Sequence, residues 1–289
     1  MSRQVKSIFM LIAALGCLSL AGCSALPLAQ PTLPQATSGV LPTQTPPSPS
    51  PTSTPAPTNT STPVPTPDRR ISSPLEGVEA GDLRLMIAKK YQTPLPYHDE
   101  VGHSGIDLFF FRYKSLTTIE GHPVQAVLAG SVAAVVQDRY PFGNAMIIET
   151  PLENWPVWLQ SGVVLPAPTP TITFAGQPVC PGSDPSLVLD SPGRSLYILY
   201  AHLQDAPQFT RGDKIASGQV INRVGNTGNS GNPHLHLETR VGPSGARFDT
   251  ISSYEGEKSL PQERYNYCIW ALSQIFVSFD PTILWQTQP

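Results

Sequence analysis

The stretch Pro233-His234-Leu235-His236-Leu237-Glu238 decides how the rest of the chain is read. Its two leucines alternate with three polar side chains able to hold a proton or a metal. In a strand, successive side chains point to opposite faces. His234, His236 and Glu238 therefore share one face, while Leu235 and Leu237 turn into a core. Two imidazoles side by side on a rigid strand are a natural start for a metal site. The run before it, Gly225-Asn226-Thr227-Gly228-Asn229-Ser230-Gly231-Asn232, reads as a tight glycine-rich loop that delivers the chain into that strand.

Outward from this point, short apolar runs punctuated by glycine recur. Pro123 to Val136 reads as strand, turn, strand, with the bend at Ala129-Gly130. Asn144 to Thr150, Ser195 to Leu203 and Val220 to Val224 read as further strands, and Gly212-Asp213-Lys214 as a turn. One short helix is expected over Gly81 to Tyr91. Residues 151–193 read as an irregular, proline-containing insertion with Trp155, Trp158 and Cys180. Trp155 and Trp158 fit a groove lining or a small core equally well. The tail over 250–289 begins polar and ends apolar. Many short strands with little helix predict a mainly β domain, a compact antiparallel sandwich or curled sheet.

The chain has 289 residues, 33 of them proline, with 13% charged residues and a formal net charge of -3. A nucleic-acid binder would need a basic patch, and none is present. Residues 1–22 look like an export signal. Arg3 and Lys6 form a basic start, and Ile8 to Leu20 is an uncharged apolar run too short for a comfortable membrane span. The run ends in Leu20-Ala21-Gly22-Cys23, which resembles the bacterial lipobox, in which the cysteine is lipidated and becomes the mature N-terminus. That predicts lipidation of Cys23 and attachment to the membrane at the extracytoplasmic cell envelope, where stable anchoring takes more than one acyl chain. Residues 24–67 carry no charge and are dominated by Pro, Thr, Ser and Ala. Such a segment cannot bury enough apolar surface to offset its ordering entropy, so a disordered, partly polyproline tether is expected over 23–74. At about 3.1 Å per residue its upper reach is roughly 140 Å.

The inventory for metal chemistry is small. The histidines are His98, His103, His122, His202, His234 and His236. His103 and Asp107 are separated by three residues, with Gly102 and Gly105 around them. A loop folding back at Gly105 is expected to bring imidazole and carboxylate together on one ion. One histidine of the later strand would complete three N/O ligands, the number typical of a catalytic zinc site with an open position for water. His98 and His122 read as exposed turn residues, although His98 is near enough to His103 in sequence to remain an outside candidate. Glu238 reads as a partner of the site or the surface, not as a ligand. No HExxH motif is present, so a thermolysin-type arrangement is excluded.

The order His103-Ser104-Gly105-Ile106-Asp107, then Tyr200-Ala201-His202-Leu203, then Gly225 through Glu238, resembles the lysostaphin/LytM-type zinc metallopeptidases. Val124 to Val132 and Gly212-Asp213-Lys214-Ile215 match that family's run of strands and turns. The resemblance covers roughly 97–241, with a closing strand expected near Phe279 to Trp285. It implies a duplicated-hybrid-motif β-fold and a zinc-dependent endopeptidase acting on cell-wall peptidoglycan peptides. It implies that His103, Asp107 and His236 hold zinc and that His202 and His234 are the two catalytic histidines. Which of the pair acts as general base stays open.

This chain departs from the family's pattern in three places. The neighbourhood of the first histidine is Asp99-Glu100-Val101-Gly102, where the family usually has a basic residue. The insertion at 151–193 is long for a strand-to-strand connection, and a second insertion at 242–275 interrupts the usual end of the domain. The expected organisation is a signal peptide over 1–22, linker over 23–74, lead-in over 75–96 and peptidase domain over 97–289. Of four cysteines, Cys17 lies in the signal and Cys23 is the lipid site. Cys180 and Cys268 remain, and in an oxidising exterior a disulfide between insertion and tail is expected. The chain is expected to act as a monomer. The alternative to an enzyme is a non-catalytic envelope protein that binds wall or activates other wall hydrolases, which the intact histidine and aspartate set argues against. A third reading is a peptidase of secreted proteins or peptides.

Overall fold

Apolar alternation builds most of the molecule. The computed structural model describes residues 68–95, 101–110, 112–163, 180, 182, 184, 187, 189 and 191–286. All of them fall in the unit Thr62–Pro289, the second of two into which the chain divides. The expected signal segment over 1–22, Cys23, His98 and nearly all of the expected linker over 23–74 lie outside the described residues.

Among the described residues ten strands are formed: β1 Ile87–Lys89, β2 Gly105–Leu108, β3 Pro123–Gln125, β4 Gly130–Arg139, β5 Gly143–Pro151, β6 Arg194–Leu203, β7 Lys214–Ile215, β8 Val220–Arg223, β9 Leu235–Pro243 and β10 Val277–Phe279. Eight make one antiparallel sheet in the order β1-β2-β9-β6-β5-β4-β7, with β10 also paired to β9, while β3 and β8 form a separate two-stranded sheet. The fold is thus mainly β and antiparallel, as the strand pattern predicts.

The large sheet is buried on both faces. Met146, Ile148, Leu196, Ile198, Leu235 and Leu237 pack on one side against Val124, Val127 and Ile221 of the small-sheet layer. Ala145, Ile147, Tyr197 and Leu199 pack on the other against Phe248, Trp270 and Phe276 of the chain that follows β9. Burying each such leucine or isoleucine favours the fold by about 1.5–3 kcal/mol. The segment that follows β9 therefore forms a layer over the second face. Within it lie a short helix α2, Pro261–Tyr267, and a π-helical turn, Cys268–Leu272. Cys268 is disulfide-bonded to Cys180, with Cα atoms 5.5 Å apart across 88 residues of sequence.

Three local expectations are corrected. The helix expected over Gly81 to Tyr91 is a short 3-10 helix, Ala80–Leu85, followed by β1. Leu83 and Met86, three residues apart, are both buried there, which fits the three-residue period of that helix. The lead-in is built into the domain, because β1 pairs with β2 and Leu75 bridges to Val124. The closing strand ends at Phe279, since Asp280 caps a 3-10 turn, Pro281–Trp285, by accepting from the Thr282 N–H. In the 151–193 insertion, Trp155 is fully buried with its indole N–H on the Thr150 carbonyl, so it serves the core. A six-residue helix α1, Val157–Gly162, follows it.

Candidate metal centre

The site grows from the register of β2 on β9. Asp107 stands directly opposite His236, and Ala201 of β6 stands opposite His236 on the other side. No fold-back occurs at Gly105. It opens β2 in extended form, and His103, just before it, forms a β-bridge with Gln92. Positions four apart on an extended chain lie on the same face, so His103 and Asp107 meet without a loop. Gly105 is required for a different reason. A Cβ there would sit 2.2 Å from the Leu237 carbonyl oxygen, so only glycine lets β2 approach β9 this closely.

His202 arrives by a β-bulge. Tyr200 pairs with Met146 and Leu203 with Asn144, leaving Ala201 and His202 opposite the single residue Ala145. His202 takes up the extra residue at φ +59°. Tyr200 and Leu203 both belong to the first core and Ala201 to the second, so the bulge turns His202 toward the face carrying His236. Bulges next to active sites commonly re-aim a side chain in this way. The glycine-rich loop holds it there. Thr227 accepts the His202 Nδ1–H on its carbonyl at 2.8 Å, and its hydroxyl ties the loop to Leu203 and Asn144.

His103, Asp107 and His236 offer ligand atoms that all lie within 4.8 Å of one another. Asp107 Oδ1 is 2.8 Å from His236 Nδ1, 3.2 Å from His103 Nε2 and 3.6 Å from His234 Nε2. Backbone carbonyls settle the tautomers of three rings. His103 Nδ1 is 3.0 Å from the Lys90 oxygen, His202 Nδ1 is on Thr227, and His234 Nδ1 is 2.7 Å from the Asn232 oxygen. A carbonyl only accepts, so each Nδ1 carries the hydrogen and each neutral ring has a bare lone pair at Nε2. His236 is turned the other way, with Nε2 toward Glu238 and Nδ1 toward Asp107. Lone pairs of His103 and His236 thus face a carboxylate oxygen. Acceptors facing one another at such distances call for a cation between them, a proton or a metal. The donor set of two imidazoles and one carboxylate suits zinc.

The electrostatics agree. Burial pushes the Asp107 carboxyl up, but its hydrogen bonds to His103 and His236, with their charges, outweigh it and hold the group well below the usual carboxylate range. Burial pushes His236 down, yet Asp107 and Glu238 together raise it to about 9. His202 is lowered to about 3, first by burial and then by the charges of His236 and His234. His202 and His234 lie beside each other with ring centroids 4.6 Å apart, and His202 is 5.9 Å from His236.

These groups line a cleft of about 320 Å³ that also takes in Lys89, Phe142, Asn229, Tyr267 and Ala271. Of these five only Asn229 lies in a stretch the sequence singles out, the glycine-rich loop; strand pairing and tail packing bring in the others. His122 lies elsewhere, its Nε2–H on the Glu76 carbonyl at 2.8 Å. Among the described residues no helix is long and apolar enough to cross a membrane.

Residues 161–249 match the model of peptidase family M23, a span that takes in His202, His234 and His236 and begins after His103 and Asp107. No curated protein matches the chain. Among solved structures it is similar to the catalytic domain of the antimicrobial peptidase lysostaphin from Staphylococcus simulans, at 21% identity over 56% of this chain and 86% of that one, with TM-score 0.33. It is likewise similar to a catalytic-domain mutant of the prophage-encoded M23 protein EnpA from Enterococcus faecalis, at 21% identity over 65% and 97%, with TM-score 0.32. A zinc-containing peptidase from Vibrio cholerae matches at 21% identity over 53% of this chain and 32% of that one, with TM-score 0.29.

Proposed function

We propose, from the match of residues 161–249 to the model of peptidase family M23, that the chain is a zinc-dependent endopeptidase cleaving peptide bonds of bacterial cell-wall peptidoglycan, tethered to the envelope by lipid on Cys23. The observation that carries the reading is the convergence of His103, Asp107 and His236 within 4.8 Å beside a second imidazole pair, His202 and His234. Zinc, when bound there, supplies a Lewis acid for the scissile carbonyl and lowers the pKa of water toward neutrality.

The chain's own groups do the remaining work. His103, Asp107 and His236 would hold the ion, through His103 Nε2, Asp107 Oδ1 and His236 Nδ1. The Lys90 and Thr227 carbonyls and the Glu238 carboxylate orient the rings of His103, His202 and His236. The His202/His234 pair, bare at Nε2, accepts the proton released as water attacks the carbonyl carbon. The Nε2–H formed in this way stabilises the developing oxyanion and then gives its proton to the leaving amine. Depression of the His202 pKa keeps that ring neutral, and therefore a proton acceptor, at physiological pH.

Metal analysis of the purified chain is expected to give about one zinc per chain. His236→Ala is expected to abolish zinc retention, and the turbidity of a wall suspension then no longer falls. His234→Ala is expected to keep the zinc and lose about 10²–10⁴-fold in activity. Wild-type protein that binds no zinc overturns the reading, and a fully active His234→Ala variant overturns the catalytic assignment.

A further inference from the structure

We propose that Trp270, in the disulfide-tied tail, is a positioning residue that fixes the ring of His236 for the metal by gripping Glu238. The proposal rests on the zinc reading above and adds a part of the chain that this reading does not use. Glu238 lies two positions after His236 on β9 and is buried, 4% exposed. Its Oε2 accepts two hydrogen bonds, from Trp270 Nε1–H at 3.0 Å and from Arg240 Nε–H at 3.1 Å. With both donors on one oxygen, Oε1 is turned to His236 Nε2 at 3.5 Å. That contact places the ring hydrogen on Nε2 and leaves Nδ1 to face Asp107 and the ion. A rotated Glu238 would remove this orientation, and outer partners of metal-ligating histidines matter for that reason.

Trp270 is built to hold its place. It is fully buried, with Arg240 over its ring at 5.1 Å. Tyr197, Phe248 and Phe276 surround it with ring centroids 5.6–6.3 Å away. Two residues earlier, Cys268 is bonded to Cys180, so the π-helical turn carrying Trp270 is fastened to the 151–193 insertion. Arg240 and His236 already supply charge partners for Glu238. The indole adds a second, directional donor that a merely charge-balanced carboxylate does not need.

The test uses the full chain and Trp270→Phe, which keeps the ring packing and the contact with Arg240 but lacks the N–H. Zinc affinity is measured by competition with a chromogenic chelator, the electronic spectrum is recorded on cobalt(II)-loaded protein, and the thermal midpoint is recorded without metal. The expected result is zinc binding weakened about 10- to 100-fold and displaced cobalt bands, in a variant that still unfolds cooperatively without metal. Glu238→Gln is measured alongside in case the first variant does not fold, with the same expectation. Unchanged zinc affinity and an unchanged cobalt spectrum overturn this inference alone. A wild-type chain that binds no zinc overturns the zinc reading and this inference with it.

Discussion

Four imidazoles and two carboxylates share one end of a sheet face, and their proximity shifts the proton affinities of Asp107, His202, His236 and Glu238. In metal-free protein His236 is raised to about 9 against an ordinary histidine value of 6.5. The stability it contributes is fully present below about pH 6.5 and is lost as pH rises through about 9. His202 has the opposite sign. Its folded value of about 3 means that its contribution is present above about pH 6.5 and is lost as pH falls from there toward 3. Metal-free protein is therefore expected to be most stable near pH 6.5, declining by on the order of 1 kcal/mol per pH unit on either side. Urea denaturation across pH 5–8 with chelator present checks this, and a flat profile contradicts it. On the proposed zinc reading a proton competes with the metal at His236, so apparent zinc affinity is expected to rise with pH toward about 9. The pairing of His234 with His236 was legible because period-two alternation fixes it. The placement of His202 was not, since strict alternation would send it to the Tyr200 side, and only the bulge turns it around.

The strands that carry these residues were legible wherever apolar side chains alternate between glycines, as in β4, β5, β6 and β9. Segments whose burial depends on a distant partner were not. β1 becomes a strand by pairing with β2, and α2 with the π-helical turn packs on a sheet face formed far away in sequence. The close contact of β2 with β9 gives a sharp prediction. Gly105→Ala drives a Cβ against the Leu237 carbonyl, and is expected to cost more than about 2 kcal/mol and to strip zinc from the site by displacing His103 and Asp107. Chemical denaturation and metal analysis check both effects, and a variant with normal stability and one zinc contradicts the account. The tail makes a second prediction. Replacing Cys180 and Cys268 by serine removes a link closing 88 residues, and is expected to cost about 4–5 kcal/mol by chain entropy, read as a lowered thermal midpoint.

The whole chain couples this domain to a charge-free, proline-rich stretch and to Leu20-Ala21-Gly22-Cys23. Under the proposed function, that arrangement would let the domain reach a wall some distance from the membrane. Cys23→Ala is expected to move the protein from the membrane fraction to the soluble fraction and to abolish incorporation of labelled fatty acid. Continued membrane association with labelling contradicts the anchor. The central claim is peptide-bond cleavage in peptidoglycan at the His103, Asp107 and His236 centre. It is tested most directly by mass spectrometry of the fragments that the zinc-loaded chain releases from purified peptidoglycan, with His234→Ala in parallel. New amino and carboxyl termini within the wall peptides, present with wild type and absent with the variant, are the predicted result. Wild-type protein holding one zinc per chain and releasing no such fragments would contradict it.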